Sequence, residues 1–139
     1  MKNKNIFQSI RCAARGIYNC CKEERNFREY ALIAVVILIL NILLDASLWE
    51  YILFISLVSA IYSAEFMNTA IERIIDTRGE ISEQNKFIKD AAAGGVLILA
   101  IAFFICEGLI LIPKFVEKFL WYPIKKGLTF SKSFFGIIA

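Results

Sequence analysis

Residues 91–112, AAAGGVLILAIAFFICEGLILI, form an apolar run in which Glu107 is the sole charged side chain. At 1.5 Å per residue such a run makes a helix of about 33 Å, close to the ~30 Å hydrocarbon core of a bilayer. Two further runs precede it. One covers about Tyr30 to Leu44 and contains ALIAVVILILNILL; the other starts near Tyr51 and reads YILFISLVSAIYSAEFMNTAI. The first is short, and flanking Tyr30, Leu48 and Trp49 extend it. In lipid the backbone must satisfy its own polar groups, so three such runs predict an all-α membrane protein with three transmembrane helices. The segment DASLWE between the first two is too short for a domain and predicts a tight antiparallel hairpin.

The remaining composition fits this frame. Apolar residues make up 58% and charged residues 21%, which suits apolar spans joined by charged segments better than a soluble domain. Residues 5–22 read as an amphipathic helix. Ile6, Ile10, Ala13, Ala14, Ile17 and Cys21 fall on one face, and Lys4, Gln8, Arg11, Arg15 and Lys22 on the other. A basic polar face suits an anionic membrane surface, so this helix is expected to lie in the interface plane. Three parts follow: a surface-helix segment 1–29, a three-helix core 30–112, and a tail 113–139 of unassigned role.

Lysine and arginine placement sets the orientation. Seven stand before the first span, none between the first two, and four between Arg73 and Asp90. The N-terminus and the second link are therefore expected on the cytoplasmic side of the cell (inner) membrane. Five lysines in the last 27 residues run against that tendency. Trp49, Trp121, Tyr30, Tyr51 and Tyr122 read as interface anchors.

Some chemistry is excluded. The chain has no histidine, which removes His-based triads and most zinc sites. Cys12, Cys20, Cys21 and Cys106 form no C-x-x-C pair, so reduced thiols are expected. The first 29 residues lack the apolar core of a secretory signal. Neither a P-loop nor a G-x-G-x-x-G loop is present. Gly94 and Gly95 read as close-packing positions.

The informative residues lie in the second span. Glu65, Asn68, Glu72 and Asp76 recur at i, i+3, i+7 and i+11, a single stripe on one helix face. Acidic groups inside a span are costly and face a polar interior or a functional cavity. Counted from Tyr51, Glu65 lies roughly 21 Å along the helix and Glu72 roughly 32 Å. Lys89 and Asp90 begin the third span, and Glu23 and Glu24 follow the surface helix, all on the same side. Phosphoryl transfer needs carboxylate oxygens for Mg²⁺ and a group to accept the proton of the acceptor hydroxyl. The stripe offers both at different depths. Ion pathways and proton relays use membrane carboxylates as well.

The stretch E65-F-M-N-T-A-I-E72-R-I-I-D76, with E24-R-N-F-R28, K89-D90-A-A-A-G and Arg15-Gly16, resembles the small prokaryotic diacylglycerol kinases and undecaprenol kinases over about Ser9 to Ile112. The resemblance implies an ATP- and Mg²⁺-dependent lipid kinase, homotrimeric, with sites completed by neighbouring subunits and no nucleic-acid partner. It implies Glu65 as general base toward the lipid hydroxyl, with Asn68 orienting the reacting groups. It implies Glu24 and Glu72 as ligands of the metal on the ATP phosphates. Arg15, Gly16, Glu24, Glu72, Asp76, Lys89 and Asp90 become the nucleotide set. The E-R-N and N-T-A-I-E wording is closer to the Gram-positive branch, so undecaprenol is the expected acceptor and diacylglycerol the alternative. A non-catalytic protein moving ions or protons is the reading from another class. The family's pattern departs at Cys12, where an aromatic is common, and in the link 77–89, which lacks a tyrosine–histidine stretch. The tail beyond Pro113 has no counterpart.

Other residues carry blander expectations. Asn41 reads as a hydrogen bond within the helix bundle. Glu107 reads as a snorkelled or protonated carboxylate at the outer interface. Asp90 could serve as N-cap of the third span.

Overall fold

A computed structural model describes residues 5–79 and 82–122. These form four helices, α1 (Ile6–Glu23), α2 (Arg25–Leu43), α3 (Leu48–Arg78) and α4 (Glu83–Phe115), with a π-helical extension Val116–Trp121. The described residues contain no strand. The last three helices are long and apolar enough to cross a membrane. Of the tail, residues 123–139 lie outside the described part.

The breaks follow local chemistry. Glu24 is extended, with its N–H still bonded to the Cys20 carbonyl, and separates α1 from α2 by one residue. Asp45 adopts φ 53°, a left-handed conformation that aspartate tolerates better than most side chains. Ser47 and Glu50 then form a capping box that starts α3. Gly79, at φ 66°, ends α3 without the steric cost of a Cβ. Ser82 caps α4 by accepting the Asn85 N–H at 3.1 Å. This overturns one expectation. The N-cap of the third span is Ser82 and not Asp90, which lies two turns inside the helix. Most of the link 77–89 is itself helical.

α3 and α4 pack along their length around Phe54, Ile61 and Phe103, with the Phe54 and Phe103 rings 6.0 Å apart. α2 docks at both ends. Near its start Phe27 is fully buried, its ring 4.6 Å from Phe66 and 5.6 Å from Tyr62. The Tyr62 hydroxyl also donates to the Phe27 carbonyl at 3.2 Å. Near its end Asn41 donates to Glu107 Oε2 at 2.9 Å, both residues being buried. The bundle role expected for Asn41 is thus observed. Of the two readings of Glu107, the snorkelled one is corrected: the side chain does not reach outward but sits 2% exposed against α2. An amide partner one helix away is the physical reason it can stay inside.

Two of the five lysines beyond the third apolar run find partners. Lys114 bonds Glu50 at 2.7 Å and the Asp45 carbonyl at 3.2 Å. Lys118 pairs with the Asp45 carboxylate and bonds the Leu43 carbonyl at 2.7 Å. These two cations therefore neutralise the acids of the α2–α3 turn and cap the carbonyl end of α2. The Lys118 contact holds the Asp45 carboxyl below its ordinary value of 3.8.

α1 buries none of its residues within the chain, and Ile6, Phe7, Ile10 and Ile17 are exposed. An amphipathic helix with an uncovered apolar stripe next to three spans suits a membrane surface.

Candidate active site

The site begins with the anchoring of α2. Burial of Phe27 against α3 turns its neighbour Asn26 toward the second span. Asn26 Nδ2 donates to Glu65 Oε1 at 2.8 Å, across 39 residues of sequence. Glu65 is 2% exposed, deep within an apolar helix, and an ionisable group there needs a compensating partner. Among the described residues Asn26 is its only hydrogen-bond donor. The second oxygen, Oε2, takes no bond but is not sealed, because Glu65 lines an open pocket of about 190 Å³ between α2, α3 and α4.

One turn further along α3, Asn68 Nδ2 donates to Glu72 Oε1 at 3.0 Å. Asn68 Oδ1 is buried without a partner. Asn26, Tyr30, Glu65, Asn68 and Glu72 line the same pocket. Tyr30, expected as an interface anchor, is instead a half-buried wall of this pocket. It also borders a smaller apolar cleft of about 40 Å³ floored by Ile61 and Phe103.

The next layer lies between the cytoplasm-predicted ends of α3 and α4. Lys89 Nζ bonds Asp76 Oδ1 at 2.8 Å. Asp76, Lys89 and Asp90 share a second pocket of about 400 Å³ with Ser82, Asn85 and Lys86. Three of the expected nucleotide residues are therefore brought together. On the other flank Arg73 bonds Glu23 at 2.8 Å and Glu24 at 2.7 Å, tying the α1–α2 junction to α3. Burial raises the Cys20 thiol at this junction above its ordinary value.

Not every expected residue is gathered. Arg15 and Gly16 stand on exposed α1 and line neither pocket, and a Cβ on Gly16 would meet open space. Glu24 faces Arg73 rather than Glu72. Among the described residues no three acidic, cysteine or histidine groups form a metal-ligand set. The donor chemistry nevertheless fits a hard cation. Glu72 brings to this pocket a carboxylate, the oxygen type Mg²⁺ prefers.

Sequence reasoning gave no role to Asn26, Arg73 or Lys86. Asn26 and Arg73 stand inside the E-R-N-F-R and E-R-I-I-D stretches, so the signal was their position. Lys86 precedes Lys89 by one turn, which puts both cations at the same helix end.

Residues 11–111 match the family described as prokaryotic diacylglycerol kinase. The chain is 37% identical over 113 residues to the undecaprenol kinase of Bacillus subtilis (strain 168), covering 78% of this chain and 89% of that protein. It is 32% identical over 111 residues to a diacylglycerol kinase of Synechocystis sp., covering 78% of this chain and 63% of that protein. A diacylglycerol kinase of Haemophilus influenzae is 29% identical over 95 residues, covering 68% and 80% of the two chains. Residues beyond 111 lie outside the family match, as the unmatched tail predicts. With three bilayer-length helices and a carboxylate pocket between them, the chain belongs to the prokaryotic diacylglycerol kinase family of membrane lipid kinases.

Proposed function

We propose that this lipid kinase transfers the γ-phosphoryl group of ATP to the hydroxyl of undecaprenol, giving undecaprenyl phosphate. The observation that carries the reading is Glu65: a buried carboxylate with one oxygen held by an amide and the other facing a pocket inside the span. An acceptor alcohol reaching this depth comes from the bilayer, and the adjoining apolar cleft beside Tyr30 suits its hydrocarbon chain. Glu65 Oε2 takes the hydroxyl proton as the oxygen attacks the γ-phosphorus. The bond from that phosphorus to the β,γ-bridging oxygen breaks, and ADP leaves with the electron pair. Asn68 orients the reacting groups, and Glu65 returns its proton to solvent after product departure.

Glu24 and Glu72 are the residues proposed to hold Mg²⁺, which when bound neutralises the phosphate oxygens. Asp76, Lys89 and Asp90 hold the nucleotide in the outer pocket, with Arg15 and Gly16 contributed from α1. Because the ligands of one chain do not form a complete set, we propose composite sites in a homotrimer. The N-terminus and the nucleotide layer face the cytoplasm, in keeping with the lysine and arginine distribution.

The Bacillus subtilis relative favours undecaprenol, and the two other relatives favour diacylglycerol as a second reading. Purified protein in lipid vesicles, with Mg²⁺, γ-labelled ATP and either alcohol, separates them. Labelled undecaprenyl phosphate forming faster than labelled phosphatidic acid is expected. The reverse order would transfer the reading to diacylglycerol. Charge movement without lipid-stimulated ADP release would overturn both.

A further inference from the structure

We propose that Asn26 is a positioning residue for Glu65: its amide holds Oε1 and thereby commits Oε2 to the lipid hydroxyl. The inference rests on the reading of Glu65 as general base. A free glutamate has three side-chain torsions and two equivalent oxygens, so an unguided carboxylate samples many unproductive geometries. Proximity effects reward removal of that freedom before the reaction. Asn26 removes it with one bond of 2.8 Å. Its own place is set by the next residue, because Phe27 is clamped between Tyr62 and Phe66 of the helix that carries Glu65. The bond is therefore rigidly supported on both sides.

The chemistry of the donor matters too. A lysine or arginine here would also hold the oxygen, but its positive charge would oppose proton acceptance by the carboxylate. A neutral amide orients the base and leaves its charge in place. Asn26 lines the Glu65 pocket and not the Lys89–Asp90 pocket. Its loss should therefore touch the chemical step more than nucleotide capture.

The test uses the full-length protein in vesicles with Mg²⁺, ATP and undecaprenol. Asn26→Asp keeps the shape but removes the donor and sets a like charge beside Glu65. Asn26→Leu removes donor and charge together. Both should lower kcat about 10- to 100-fold. KM for ATP should stay within about twofold and the unfolding midpoint in detergent should hold. Asn26→Gln, which keeps the amide, should recover part of the loss. Adding Asn26→Leu to Glu65→Gln should cost less than about twofold further, since the two act as a unit. If Glu65→Gln is inactive while Asn26→Asp and Asn26→Leu turn over like wild type, the positioning role is overturned and the base reading stands. If Glu65→Gln itself is fully active, the base reading fails first. A rise in KM for ATP without a fall in kcat would also contradict the proposal.

Discussion

α2 makes the same bond twice. Asn26 near its start holds Glu65 of α3 at 2.8 Å, and Asn41 near its end holds Glu107 of α4 at 2.9 Å. The asparagines are 15 residues apart, about 22 Å along the helix. Both carboxylates are 2% exposed. They differ in the other oxygen. Glu65 Oε2 looks into a pocket lined by further polar groups, whereas Glu107 Oε1 and Asn41 Oδ1 are both sealed without partners. Burial and an amide partner are common to both carboxylates. Access for a second molecule is what sets apart Glu65, the proposed base, from Glu107.

The largest effect should come from the inner pair. Glu65→Gln is expected to lower turnover about 10²- to 10⁴-fold, the range for loss of a general base. The matched change Glu107→Gln should leave turnover within about threefold, measured as lipid-stimulated ADP release. Next in size is Glu72→Gln, for which we expect a loss of about 100-fold in kcat/KM for ATP. Raising Mg²⁺ should recover part of it, and a loss insensitive to Mg²⁺ would remove Glu72 from the metal site.

The outer pair should report on stability instead. Glu107→Ala removes one of the two acceptors of the buried Asn41 amide, leaving it the Ile37 carbonyl alone, and should destabilise the bundle by about 1–3 kcal/mol. Glu107→Gln keeps an acceptor for Asn41 and adds a donor that can meet its orphaned Oδ1, so it should unfold no earlier than wild type. Thermal unfolding in detergent compares the two.

The smallest effect concerns the exposed rim beyond this pair. The Asp45 carboxyl is held below its ordinary value by the Lys118 hydrogen bond. A lowered value means the folded state favours the ionised form. Its contribution is complete above the ordinary carboxylate value near 3.8 and fades as pH falls below it. Asp45→Asn should flatten that acid limb slightly in a stability profile. An unchanged limb would assign it to other carboxylates.

Sequence pattern made the inner region legible and the outer region only half so. The stripe Glu65, Asn68, Glu72, Asp76 is a local periodicity, readable from one helix. The three spans likewise follow from apolar run length. Asn26 and Glu107 were not readable in this way, because their meaning depends on partners 39 and 66 residues away. Glu107 near the outer end of a span looks like an interface residue until α2 is seen to bring Asn41 against it. Asp90 failed as a cap for a different reason. The helix was expected to begin with its apolar run, but α4 starts eight residues earlier on a polar first turn that Ser82 supports.

We propose that access, and not burial, makes one of these two carboxylates catalytic. The most direct measurement is undecaprenol-stimulated ADP release by Glu65→Gln and Glu107→Gln proteins side by side, each confirmed to be folded in the same vesicles. Near-complete loss in the first and near-normal turnover in the second are expected. Equal losses in both, or normal turnover by Glu65→Gln, would contradict the proposal.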